Sequence, residues 1–547
     1  MKKSGFGFRF ILIITAVLVI LSVAVSITMA SGERKERETN LNRSRLPIQA
    51  VEFAESRESF ESQGANFVNG IFIAPELTSN ATQEEWQSSL ASMKEIGIHT
   101  IIIQYSFQTD SIYGNQAYFN YWQPDTVSGA FQPERRAQIA RILNAAQALD
   151  MQVYIGLQLA EREWFSQDMF KNYNWLYHHY WLSTSLADAL WSEFKQDYAD
   201  TVAGWYLPFE FESTAKFHDY FSLITDVYYR PVTDHLKNYC GNLPVIISPL
   251  MYAYDDKVKW QDNLNTVLSG SLIDIIAPQD GIGFGTQTHA TVGDWYRVTR
   301  LAVDAVNKAS GKNISLWGNC ENYMCQRDPD DILESMKPMA IGKFIDSLET
   351  MAPYVEDFIT FSIHRWDTRI GANKTFGINQ SYFDAYKEYY LSGIKPISKA
   401  AGQYVIIESA GALIFNAYAN AGMTNGFAAD PYNWAEYKGI SLQGADTFAI
   451  EIRFDDPTII NSITSNYYAD TGAGIALPQS VTYEYFVRSG PNDNIYTYHP
   501  FGGEQRSGSG APVASTAQRT SAVIADGIRI TVQTGGEWTF LNDIRVN

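Results

Sequence analysis

Between Phe67 and about Ile397, short apolar runs alternate with amphipathic stretches, and this alternation constrains the fold more than any other feature of the chain. The runs are Phe67–Leu77, Ile98–Phe107, Met151–Leu159, Val202–Glu212, Leu243–Tyr252, Ile273–Phe284, Asn313–Met324 and Asp357–Thr368. Each is rich in Ile, Val, Leu or aromatics and too short for a free-standing helix, as parallel strands buried on both faces are. Helical stretches lie between them at Glu84–Ile96, Glu134–Leu149, Ser185–Tyr198, Lys216–Leu236, Tyr296–Lys308 and Pro338–Met351. In Arg136–Leu149 the apolar residues Ile139, Ile142, Leu143 and Ala146 recur every three or four positions, which is one face of a helix. Eight strand–helix units predict an α/β TIM (β/α)8 barrel over residues 61–398. A doubly wound open sheet is the rival, but no Gly-rich phosphate loop follows the first run.

Composition narrows the partners. The chain has 547 residues, 46% of them apolar and 18% charged, enough to bury a large core. Its 41 Lys and Arg face 60 Asp and Glu, a net charge of −19 that argues against nucleic acid, whose phosphates attract basic residues. Three cysteines leave no disulfide scaffold and no zinc cluster. No cofactor or metal is expected.

The first fifty residues differ from the rest. Lys2, Lys3 and Arg9 precede an uncharged apolar run from Phe10 to Met29, with the small residue Ala30 near its end. This is the pattern of an export signal, either a cleaved signal peptide or an uncleaved anchor over residues 1–30. About 20 residues in a helix span ~30 Å, enough to cross a bilayer. Ser31–Ala50 is polar and aperiodic, so residues 31–60 are expected to be a tether. The chain is therefore expected to be exported, and to meet a membrane only through this segment if it stays uncleaved. Residues 1–50 carry net +5, so an exported remainder carries −24. That balance suits a neutral or basic glycan better than a strongly sulfated one.

In a (β/α)8 barrel the chemistry gathers at the C-terminal ends of the strands. The run ends supply Glu76; Gln104 and Tyr105; Gln158, followed by Glu161; Glu210 and Glu212; Tyr252; Gln279 and Asp280; Trp317 and Glu321; and His364, Arg365 and Trp366. Acids for chemistry, amides for hydroxyls and flat rings for sugar faces make a carbohydrate site. Cleaving a glycosidic bond needs one carboxyl to protonate the leaving oxygen and a second, ionised, to attack the anomeric carbon or activate water. The fourth and seventh strands lie opposite each other across an eight-stranded barrel, which singles out Glu210 and Glu321. Glu212 is the nearest substitute for Glu210, since alternate residues of a strand share a face. Asp280 precedes Gly281 and is either a third acid or a turn cap.

The placement of Glu210 and Glu321 resembles that in the clan of retaining barrel glycosidases. The resemblance implies Glu210 as acid/base and Glu321 as nucleophile. The clan usually has Asn before the strand-four Glu, and Phe209 stands there instead. Gly204-Trp-Tyr-Leu-Pro-Phe-Glu210, with the Phe67–Leu77 opening and Gln104-Tyr105, also resembles a bacterial family of unknown function whose members are glycosidase-like barrels. It implies no particular substrate.

Trp164, Trp175, Tyr177, Trp181, Trp317 and Trp366 are candidate sugar platforms. Residues 164–181 read as a long insertion after the third strand, either a lid or subsite wall or a self-packed loop. His178 and His179 lack a third ligand at metal spacing. Cys320 and Cys325 flank Glu321, either bridged or as two thiols.

Beyond Pro396 the pattern changes to short β runs: Tyr404–Glu408, Thr447–Phe454, Ile459–Tyr468, Val481–Ser489, Ile528–Thr534 and Trp538–Val546. Turn clusters such as Asp470–Gly474 and Ser507–Gly510 separate them, which predicts a β-sandwich over 399–547. Trp434, Gly439–Leu442, Phe448–Phe454, Gly474–Pro478 and Val481–Tyr485 together resemble a discoidin-like, galactose-binding-like module. That resemblance implies glycan binding through end loops, with Tyr432 and Trp434 as candidate contacts, and in some members a structural calcium. Two functions follow: an exported two-carboxylate glycoside hydrolase with a carbohydrate-binding module, or a non-catalytic surface polysaccharide-binding protein that keeps a barrel cleft.

Overall fold

A computed structural model describes residues 67–75, 81–109, 133–160, 170–215, 217–325, 336–361, 380–396, 398–401, 403, 405–408, 412–415, 423–424, 437–442, 446–490, 495–505 and 513–547. Residues 1–60, read from sequence as an export signal and tether, and Glu76, Glu161, Trp164, His364, Arg365, Trp366, Tyr432, Trp434 and the 507–510 turn lie outside the described residues. Among the described residues no helix is long and apolar enough to cross a membrane.

Eight parallel strands close into a barrel. They are β1 (Gly70–Ile73), β2 (Thr100–Ile103), β3 (Gln152–Gly156), β4 (Val202–Leu207), β5 (Val245–Ile247), β6 (Ile275–Ile276), β7 (Ser315–Glu321) and β8 (Asp357–Phe361). Neighbours follow chain order, and β1 closes the ring against β8 with Gly70 opposite Ile359. The (β/α)8 barrel is therefore as the alternation predicts. Its helices are α1 (Gln83–Glu95), α2 (Pro133–Ala148), α3 (Tyr173–Phe194), α4 (Phe221–Ile224, a π turn Thr225–Tyr229, then Arg230–Tyr239), α5 (Lys257–Gly270), α6 (His289–Ser310), α7 (Ile341–Met351) and α8 (Gln380–Ser392). Local chemistry sets the helix starts: Thr82 accepts from Glu85 N at 3.2 Å while the Glu85 carboxylate accepts from Thr82 N, a capping box at the start of α1.

The helix α3 corrects the sequence reading. It begins at Tyr173, twelve residues before the expected Ser185, so residues 173–181 are helix rather than an insertion loop or lid. Trp175, His179, Leu182, Leu186 and Leu190 are its buried stripe, at spacings of three and four. Trp175 is thus core rather than a sugar platform, while Tyr173 and Tyr177 project outward with stacked rings 6.3 Å apart.

Inside the barrel, Phe72, Ile102, Tyr154, Tyr206, Ile246, Ile275 and Ile359 fill the lumen beneath the mouth. Trp317 belongs to this layer. It lies opposite Asp357, the first residue of β8, and its ring meets Tyr154 edge-on at 6.2 Å. The ring placed by sequence at the strand end sits instead near the N-terminal end of β7, four residues below Glu321.

The C-terminal region is an eight-stranded curled antiparallel sheet. Its strands are β9 (Val405–Glu408), β10 (Ala412–Phe415), β11 (Lys438–Leu442), β12 (Thr447–Tyr468), β13 (Ser480–Arg488), β14 (Tyr496–Gln505), β15 (Val513–Gln533) and β16 (Thr539–Val546). The order is β10-β11-β16-β12-β15-β13-β14, with β9 paired to β12. The two runs expected at Thr447–Phe454 and Ile459–Tyr468 are one strand. Its register against β15 shifts between Arg453 and Thr458, where Pro457 cannot donate to the ladder. The curl encloses Ile450, Ile452, Ile463, Val481, Ile530 and Leu541.

Candidate active site

The ladder continues past the regular strands toward the mouth. Single bridges join Glu212 to Leu250, Leu250 to Gln279 and Gln279 to Asn319, so the rim from β4 to β7 is tied rung by rung. Four carboxyls stand on this ordered arc: Glu210, Glu212, Asp280 and Glu321.

Glu210 is three residues beyond β4. The Tyr206 hydroxyl donates to its Oε1 at 3.4 Å, and the Gln279 side chain also bonds it. Burial pushes its pKa up to about 8, against donors at Gln279 and Tyr206, with the charges of Glu212 and Glu321 raising it further. Glu210 therefore holds its proton at neutral pH. Phe209, where the clan has Asn, is buried against Trp175, His179 and Tyr228.

Glu321 ends β7 and is 2% exposed. Its Oε2 accepts from the Phe284 amide at 2.7 Å, with further bonds from the Gly283 amide and the Tyr323 side chain. Burial raises its pKa to about 7, and these three donors hold it down from a higher value. Oε1 has no hydrogen-bond partner among the described residues.

Asp280 is fully buried. Its Oδ1 accepts from Ile282 N at 3.1 Å and Glu321 N at 3.3 Å, which makes it the cap of the turn after β6 and a brace for Glu321. Burial and then the charge of Glu321 hold its carboxyl well above the usual range. The turn demands glycine twice. Gly281 has φ +64°, and a Cβ on Gly283 would meet Tyr323 O at 2.0 Å and Glu321 Oε2 at 3.1 Å.

The amides at the strand ends divide. Gln279 donates to Ser248 O at 3.1 Å and bonds Glu210, directly beneath the mouth. Gln158 is buried and donates to His179 Nδ1 at 3.1 Å. His179 lies between the rings of Trp175 and Tyr228, and burial lowers its pKa to about 3, so it is a neutral core histidine. Tyr252 bonds Glu212 through its hydroxyl, and burial, Glu212 and neighbouring groups raise its pKa. Gln104 is half-buried at the rim, and Tyr105 is buried against Leu159. Cys320 and Cys325 are free thiols, the first fully buried.

Sequence reasoning missed Tyr206 and Tyr323, which bond Glu210 and Glu321, and three further contributors. Gly283 and Phe284 hold Glu321 from a turn 37 residues away, and Asn319, two residues before Glu321, donates to Ser248 Oγ at 2.8 Å. The signal for Asn319 was parity: it shares the inward face of β7 with Glu321.

The family described as Domain of unknown function (DUF4434) matches residues 68–369, more than half of the chain and nearly all of the barrel. No curated protein matches the chain. Among solved structures, a candidate alpha-L-fucosidase of Bacteroides thetaiotaomicron VPI-5482 is 19% identical, covering 60% of this chain and 97% of its own, with a TM-score of 0.45. A Ruminococcus gnavus fucosidase in complex with fucose is 11% identical over 90% of this chain and 94% of its own, at a TM-score of 0.28. A family 32 carbohydrate-binding module of C. perfringens NanJ in complex with galactose is 13% identical, covering 26% of this chain and 92% of its own, at 0.18. At these identities and scores the neighbours carry no functional weight.

Proposed function

From a chain that belongs to the DUF4434 family, we propose an exported glycoside hydrolase that cleaves an oligo- or polysaccharide with two carboxyls, Glu210 as acid/base and Glu321 as nucleophile. The observation that carries this reading is the pair itself. Two carboxyls stand at the ends of β4 and β7, three strands apart around the barrel; the charge of Glu321 helps to raise Glu210, while three donors hold Glu321. Groups with that division supply an acid and an ionised partner.

In the first step the Glu210 proton passes to the glycosidic oxygen, the bond from that oxygen to the anomeric carbon breaks, and a Glu321 oxygen bonds the carbon. In the second step water gives a proton to the Glu210 carboxylate, its oxygen bonds the anomeric carbon, and the bond to Glu321 breaks. Oε2 is held by the Phe284 amide, and the buried Oε1, which has no hydrogen-bond partner among the described residues, is the oxygen assigned to the attack. Asp280 accepts from the Glu321 amide and positions its backbone. Export rests on the basic and apolar pattern of residues 1–30, and the curled sheet is read as a carbohydrate-binding module that holds the barrel near its polymer.

The experiment is a screen of the full chain on bacterial exopolysaccharides and plant and algal glycans, read as released reducing ends. Glu210→Gln and Glu321→Gln run alongside. Each is expected to lower kcat by about 10²–10⁴-fold, the range for losing a positioned acid or base. Hydrolysis that survives both substitutions contradicts the assignment. If the chain retains a glycan and releases nothing, the non-catalytic binding reading takes its place.

A further inference from the structure

The loops that follow β4, β5 and β6 are joined into one rim by hydrogen bonds. Ser213, next to Glu212, receives the Tyr252 amide on its Oγ at 2.9 Å and donates to Asp255 at 2.8 Å. Ala253 N donates to Thr286 O at 2.9 Å, which ties the β5 loop to the β6 loop. Within the β6 loop, Gly281 O accepts the amides of Gly285, Thr286 and Gln287. The Phe284 amide then closes the path on Glu321. The rim therefore runs without a break from Glu212 to the candidate nucleophile.

This rigid rim displays aromatic rings to solvent. Tyr254 is 63% exposed and Phe284 is 51% exposed, although large aromatics in ordered loops normally bury themselves. The Tyr252 ring lies 5.5 Å from Tyr254, and its hydroxyl is bonded to Glu212. The three aromatics thus stand on a backbone that is fixed at both ends by carboxyls of the site. Fixed rings lose little freedom when a ligand stacks on them, which favours binding. An aromatic face suits the apolar C–H face of a pyranose, and Glu212 beside it accepts from a hydroxyl or an ammonium group.

The geometry points to a sugar-binding subsite formed by Tyr252, Tyr254, Phe284 and Glu212, which takes a pyranose residue of the substrate chain next to the bond that is cleaved. It rests on the glycosidase reading and adds where the polymer lies: along the β4–β6 side of the mouth. Phe284 has two roles from one residue, its amide holding Glu321 and its ring meeting substrate.

The test uses the full chain carrying Glu210→Gln, which blocks turnover, on an array of short defined oligosaccharides from bacterial, plant and algal polysaccharides. Hydroxyl-radical footprinting then follows with the best-retained oligosaccharide, so that the reactivity of the Tyr254 and Phe284 rings is read directly, apart from any binding by the curled sheet. Protection of both rings is expected. Tyr254→Ala with Phe284→Ala is expected to weaken binding at this site about tenfold, the ratio set by 1.4 kcal/mol, and Phe284→Tyr to restore protection at position 284. A glycan that binds without protecting either ring overturns the subsite, and so does an array on which nothing is retained. Ring protection by a glycan that the unsubstituted chain never hydrolyses removes the hydrolase reading and leaves the subsite standing.

Discussion

Gly283 is the smallest part of the site and one of the least replaceable. Its missing side chain lets the β6 turn press against Tyr323 O and bring two amides onto Glu321. Gly283→Ala forces that turn outward and is expected to lower kcat by at least tenfold while the far-ultraviolet circular dichroism of the barrel is retained. Unchanged kcat removes the turn from the site. The two carboxyls also set the pH response. The proposed reaction needs Glu321 ionised and Glu210 protonated, so kcat/KM is expected to fall on the acid side near pH 7 and on the basic side near pH 8. Stability changes in one direction only. Glu210 is raised from 4.5 to about 8 by folding, so the stability it contributes is full below about pH 4.5 and is lost as pH rises through about 8. Glu210→Gln, which never ionises, is expected to raise the unfolding midpoint at pH 8 relative to the unsubstituted chain and to leave it unchanged at pH 4.5. A parallel shift at both pH values contradicts the raised carboxyl.

At the scale of elements, strand ends were legible and their supports were not. The runs at 202–212 and 313–324 placed Glu210 and Glu321 because a buried parallel strand is a continuous apolar run and its end is marked by the first acids. The turn that holds Glu321 comes from another strand, and no local pattern links Phe284 to a residue 37 positions on. Trp317 was misplaced because a run of apolar residues does not show where in it the strand begins. The start of α3 was hidden by its aromatics, which resemble a loop until Trp175, His179, Leu182 and Leu186 are counted at helical spacing. In the curled sheet, β12 and β15 carry a buried charge: Glu451 is 1% exposed and accepts from Arg529 Nη1 at 2.6 Å and the Tyr498 hydroxyl at 2.7 Å. Arg529→Met removes the nearer cation, leaving Arg453 at 3.7 Å from the other carboxylate oxygen, and is expected to cost about 3 kcal/mol, measured by denaturant unfolding, the low end for breaking a buried pair because Arg453 and Tyr498 still partner Glu451. A loss under about 1 kcal/mol places the pair among exposed ones.

At the scale of the molecule, the curled sheet is joined to the barrel by backbone. Ala401 O accepts the Ile341 amide that opens α7, and Lys399 and Ser398 bond Val546 at the end of β16. Removing residues 399–547 takes away the partner of Ile341 N, so the barrel alone is expected to unfold at lower denaturant than in the full chain. Tryptophan emission reads this well, since all tryptophans except Trp434 and Trp538 precede residue 399. In the proposed reaction Glu321 bonds the anomeric carbon, and that bond can be trapped. The full chain is incubated with a panel of 2-deoxy-2-fluoro glycosyl fluorides, which slow release of the intermediate, and then examined by mass spectrometry. One added glycosyl group on the peptide that carries Glu321 is predicted. A group carried on Glu210, Glu212 or Asp280, or turnover of a glycan substrate with inversion and no adduct, contradicts it.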